Sequence, residues 1–143
     1  MRALTIVLLS LLFAAVASVG GGRPAIAGGN TLDGITGVWE GRLVQGATGD
    51  SPLRLEVFSD GRWKIAIARQ YSIGPYSEAE GTVNSLPSGA VMLSGKYTWH
   101  SVQRFQGSAV TMTLKQVSDV EISGDGISTQ VNRPFSVSLK RVK

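Results

Sequence analysis

The sequence predicts an all-β fold, a single antiparallel meander β-barrel of about eight strands, with a β-sandwich as the alternative packing of the same strands. Three observations carry this expectation. Beyond Gly28, apolar residues alternate at period two instead of recurring at i, i+3 and i+4. The links between runs are short, so neighbouring strands run antiparallel. Each run has one apolar and one polar face, an arrangement that closure satisfies while removing exposed edges.

The first segment is read as an address. Met1-Arg2 is a short basic start, Ala3 to Val19 carries no charge, and small-x-small sites follow at Ala15-Val16-Ala17 and Ala25-Ile26-Ala27. That order is expected of a secretory signal peptide. Pro24 would break the helical segment ahead of the second site, so residues 1–27 are assigned to the signal and 28–36 to a short lead, with cleavage at the earlier site, or a retained membrane anchor, as the alternatives. The barrel domain is assigned to 37–143. The expected location is periplasmic or secreted, with no membrane span after cleavage.

The strands then follow in order. Val38 to Val44 sets Trp39, Gly41 and Leu43 against Glu40 and Arg42. Leu53, Leu55 and Val57 alternate with Arg54 and Glu56, and Ser59-Asp60-Gly61 supplies a tight hairpin turn. The return strand places Trp63, Ile65 and Ile67 on one face. Ser77 to Val83 is more polar. Ala90 to Trp99 alternates Val91, Leu93, Gly95, Tyr97 and Trp99 against Met92, Ser94, Lys96 and Thr98, which puts Tyr97 and Trp99 on a shared face. Ser108 to Gln116 follows, and then a short strand about Glu121 that ends at a turn over Ser123-Gly124-Asp125-Gly126. Pro134 opens the last strand, where a missing N–H is tolerated, and Phe135, Val137 and Leu139 form its apolar face. No helix is expected beyond Gly28.

Composition narrows the chemistry. The 143 residues hold no Cys and one His, which removes disulfides, thiolate metal sites, cysteine nucleophiles and multi-histidine metal sites. The formal charge of +4 draws on Arg2 and Arg23 in the leader and on Lys140, Arg141 and Lys143 at the C-terminus. No basic stripe remains to track nucleic acid.

Gly37-Val38-Trp39-Glu40-Gly41 opens the first strand, and Leu93-Ser94-Gly95-Lys96-Tyr97 gives a later Gly-x-Tyr strand. This pattern resembles the lipocalin and avidin group of small barrels. The resemblance implies that Trp39 closes one barrel end, that a basic residue of the last strand, Arg141 or Lys140, packs over it, and that a ligand cavity is present. The chain is shorter than a usual lipocalin and carries no later motif of that group.

The candidate ligand-binding residues are Trp39, Trp63, Tyr97, Trp99, Tyr71 and Tyr76. The three tryptophans are either core or cavity wall. Arg69 to Tyr76 is a loop with two tyrosines, read either as a flap over its own barrel or as a mouth loop. His100 follows Trp99 at a strand end without a nucleophile elbow to serve. The pairs Glu78/Glu80 and Asp119/Glu121 each share a strand face, where solvated charge is the ordinary explanation. No catalytic residue, metal ligand or cofactor is assigned. The leading functional expectation is an exported, non-enzymatic barrel holding a small apolar or aromatic molecule. The alternative is a cell-envelope interaction module, an enzyme inhibitor or assembly factor, that needs no cavity; an enzyme reading comes third.

Overall fold

Period-two alternation turns into eight strands: β1 Gly37–Val44, β2 Asp50–Val57, β3 Arg62–Ala68, β4 Pro75–Ser85, β5 Val91–His100, β6 Ala109–Ser118, β7 Glu121–Ser128 and β8 Arg133–Arg141. The structure is a computed structural model and describes residues 31–46, 50–69, 75–128 and 133–143. The expected signal peptide and Tyr71 lie outside the described residues. Each strand pairs antiparallel with the next, and β8 returns to β1, with Trp39 opposite Arg141 and Val44 opposite Ser136. The sheet is therefore a closed meander barrel and not a sandwich.

The β2–β3 hairpin shows how the local sequence acts. Gly61 adopts φ +82°, which a residue with a Cβ resists. Its N–H donates to Phe58 O at 3.1 Å, and Phe58 N–H donates to Arg62 O at 2.9 Å. Asp60 accepts from the Arg62 amide at 3.1 Å and from its Nε at 2.7 Å. These contacts hold the Asp60 carboxyl below the usual carboxylate range, the Arg62 backbone N–H most of all.

Two features depart from the expected elements. A five-residue helix, α1 Thr31–Ile35, lies in the lead segment. It is too short to persist on its own propensity; burial of Ile35 and a Trp39 Nε1–H bond to Ile35 O at 2.7 Å fix it to the barrel. The second is Ser123-Gly124-Asp125-Gly126, which is not a turn but part of β7; the chain reverses one step earlier, at Asp119-Val120. Gly124 and Gly126 instead leave space. A Cβ on Gly126 would fall against the Phe135 ring, and one on Gly124 against the Thr113 carbonyl.

The register gives the barrel two unlike ends. At the lower end, Trp39, Val57, Trp63, Val91, Leu114, Ile122 and Leu139 are buried beside α1. Arg141 caps this end. Its guanidinium stands 4.2 Å from the Trp39 ring centroid and donates to Thr36 O at 2.8 Å and Gly34 O at 2.7 Å. Nε donates to Asp119 O at 3.0 Å. Of the two basic candidates, Arg141 takes the position over Trp39, while Lys140 is exposed and paired across to Glu40 and Glu121.

Trp63 needs a gap in the opposite wall. Gly81 and Gly95 face each other across β4–β5, and a Cβ on Gly95 would lie 2.7 Å from the Trp63 ring. It would also overlap the Glu80 carbonyl. Gly95→Ala is expected to destabilise by about 1–3 kcal/mol through overpacking, read from the denaturation midpoint. A loss under about 0.5 kcal/mol, the range of an uneventful surface change, would show that the wall yields without strain.

Candidate functional site: the upper cavity

A single inserted residue builds the upper end. Along β5, Ala79 lies opposite Tyr97 but Glu78 lies opposite Trp99, so Thr98 is an unpaired bulge residue. Its hydroxyl donates to Glu78 O at 3.3 Å. A bulge reverses the facing of every residue beyond it. Tyr97 therefore points inward, Trp99 points outward with 41% of its surface exposed, and His100 points inward beside Ser77. The expected shared face of Tyr97 and Trp99 does not exist.

His100 is held by rings on three sides. Tyr76, Phe105 and Tyr97 each meet it edge to face, with centroids at 5.0, 5.1 and 5.2 Å. Val102 N–H donates to Nδ1 at 3.0 Å, which leaves Nε2 as the protonated, donating nitrogen of the neutral ring. The β5–β6 connection that carries Phe105 is tied down in turn. Tyr97 exchanges backbone bonds with Ser108 and Gly107 at 2.9 and 2.8 Å, and Ser108 Oγ donates to Phe105 O at 2.5 Å.

These side chains enclose a cavity of about 300 Å³ at the upper barrel end. Its apolar surface comes from Leu43, Ile67 and Phe135, its aromatic wall from Tyr76, Tyr97, His100 and Phe105. Gln45, Ser51, Ser77, Arg104 and Ser128 supply polar groups. Ser128 is only 4% exposed, yet its Oγ has no hydrogen-bond partner among the described residues. Burial pushes the Tyr97 phenol above its ordinary value, and the neighbouring Ser128 hydroxyl opposes this by less. The two hydroxyls are neighbours that form no well-aligned bond. An unsatisfied buried hydroxyl costs about 1–3 kcal/mol, so a group inside the cavity that bonds to Ser128 recovers it.

Burial also lowers the His100 pKa below its usual value near 6.5. The folded state thus binds this proton less readily than the unfolded state. Stability is expected to be level above about pH 6.5 and to fall as pH drops toward the folded pKa. His100 is the chain's single histidine. Urea midpoints at pH 7.5 and about pH 5.5 should differ for the wild type and coincide for His100→Phe; equal slopes in both would contradict the assignment.

The six expected ligand-binding residues are dispersed by this geometry. Tyr97 and Tyr76 line the cavity. Trp39 and Trp63 are 0% exposed and fill the lower barrel, with Trp63 Nε1 donating to Thr82 O at 3.1 Å. Trp99 stands on the outer surface, and Tyr71 is not among the described residues. His100, Phe105, Arg104 and Ser128 belong to the site without having been proposed for it. Glu78 and Glu80 are exposed on the outer sheet face, away from the cavity lining. Asp119 is exposed in the β6–β7 turn at the lower end, next to Glu121 at the start of β7. Among the described residues, no three metal-ligating side chains converge. A wider depression of about 440 Å³ over Gly41, Pro52, Ala66 and Ala68 lies outside the barrel and is open to solvent.

No family model and no curated protein matches the chain. Solved structures do. A redesigned β-barrel aligns with TM-score 0.61 at 14% identity, covering 79% of this chain and 96% of that one. A de novo designed fluorescence-activating β-barrel aligns with TM-score 0.52 at 16% identity, covering 78% and 97%. At such identities the likeness establishes the shared small-barrel fold.

Proposed function

We propose that the protein is an exported, non-enzymatic barrel that holds a compact apolar or aromatic molecule in its upper cavity. The observation that carries this reading is Ser128 Oγ, buried without a partner among the described residues in the wall of a cavity that combines an aromatic and aliphatic surface with a few polar groups. Ligand pockets combine such walls with a few placed polar groups. The volume stands at the small end of the usual range, which favours a molecule of one or two rings. The likeness to a designed barrel described as fluorescence-activating is in keeping with a barrel end that accepts a small molecule. Export rests on the basic start, charge-free run and small-x-small sites of residues 1–27.

The test is an amide chemical-shift titration with 2-naphthol at millimolar concentration. Shifts confined to the amides around His100, Gly107 and Ser128 are expected, and Ser128→Phe, which fills the cavity, should abolish them. A wild type without shifts, or a Ser128→Phe protein that responds like the wild type, would overturn the reading. The interaction-module alternative keeps one observation, the exposed Trp99 on the outer face. If it holds, Trp99→Ser will remove a co-purifying envelope protein while 2-naphthol binding is unchanged.

A further inference from the structure

The cavity mouth has a one-sided charge. Among the described residues no carboxylate lines the cavity, whereas Arg104 does. Arg69, at the end of β3, lies with its guanidinium 4.8 Å from the Tyr76 ring centroid, and Arg104 lies 4.9 Å from that of Phe105. Tyr76 and Phe105 are two of the three rings packed on His100. Arg69, Tyr76, His100, Phe105 and Arg104 thus form a continuous belt with a cation at either end.

Among the described residues neither cation has an ion-pair partner. The ion pairs among the described residues use Arg42, Arg54 and Arg62. The acid at this end of β2, Asp50, faces Arg42 at 3.4 Å, and Glu78 stands on the outer face of β4. Stacking on an aromatic face holds a guanidinium in place while leaving its N–H edge free to donate. Deeper in, the cavity offers further donors: His100 Nε2–H, the Tyr97 hydroxyl that burial keeps protonated, and the Ser128 hydroxyl. Donors and positive charge at one end, over an apolar floor, complement an acid group on an apolar body.

Resting on the binding reading above, we propose that the ligand is a compact aromatic or aliphatic anion whose acid group lies between Arg69 and Arg104, with its apolar body against Leu43, Ile67 and Phe135. Two shape-matched probes test this, naphthalene-2-carboxylate and naphthalene-2-carboxamide, titrated at pH 7.5 against protein purified after expression of the full chain. The carboxylate is expected to bind about tenfold more tightly, since charge-assisted hydrogen bonds exceed neutral ones. Arg69 and Arg104 are both exposed, so the double variant Arg69→Gln, Arg104→Gln should retain the fold. It should reduce carboxylate affinity to that of the amide. Equal affinities in the wild type, or a carboxylate preference that survives in the double variant, would overturn the anion assignment alone. Binding of neither probe would overturn the binding reading and this assignment with it.

Discussion

Trp39→Ala is expected to lower the unfolding free energy by about 3–5 kcal/mol, the range for removing a large buried aromatic residue. Trp39 is 0% exposed and sits where β1, α1 and β8 meet. The change removes the ring on which Arg141 stacks and the Nε1–H bond to Ile35 O. The resulting void cannot be closed by a rigid, continuously paired barrel wall, so relaxation recovers little of the loss. Guanidinium unfolding at constant m-value would report it as a lower midpoint. A loss below about 1 kcal/mol, the centre of ordinary point mutations, would mean that the lower end is not the packed end.

Arg141→Met is expected to cost about 2–3 kcal/mol. The alkyl stem is retained, but three charged hydrogen bonds, to Gly34, Thr36 and Asp119 carbonyls, are lost together with the contact on Trp39. Bonds to charged groups are each worth about 1.5–3 kcal/mol; water replaces part of this at a half-buried site. Arg141→Lys should recover less than half, because an ammonium cannot direct a planar fork at two carbonyls and stack on an indole at once. Full recovery by lysine would show that charge alone, not geometry, secures α1. The two substitutions are coupled through one contact, so their effects in combination should fall short of additive.

Much of this architecture is legible in the chain because a half-buried strand must alternate. Trp39, Leu43, Leu53, Leu55, Val57, Trp63, Ile65 and Ile67 follow period two and all point inward as expected. The Asp60-Gly61 turn is legible for a separate reason, since few residues tolerate the φ it requires. The likeness of the first strand to small barrels implies a basic residue over Trp39 but leaves Arg141 and Lys140 open; the structure selects Arg141, and no family of that kind is identified for this chain.

What the sequence conceals lies mostly beyond one residue. Thr98 looks like any polar residue between two aromatics, and its bulge becomes visible only when β4 supplies the opposing register. That step exchanges the roles of Trp99 and His100 and so relocates the site. Gly124 and Gly126 resemble turn residues, yet their lack of a side chain accommodates Phe135 and the neighbouring strand. The helix α1 has no periodic stripe of its own, because tertiary contact through Ile35 defines it. Ser128 carries no local signal at all; it matters because the barrel closes around it.

The upper end of the barrel holds space for a molecule while the lower end is filled. A crystal structure of the protein purified after expression of the full chain, and soaked with 2-naphthol, tests this most directly. Electron density for the probe is expected between Tyr97, His100 and Phe135, with its hydroxyl within hydrogen-bond distance of Ser128 Oγ. A cavity occupied by the side chains of Tyr76 or Phe105, with no room for the probe, would contradict it.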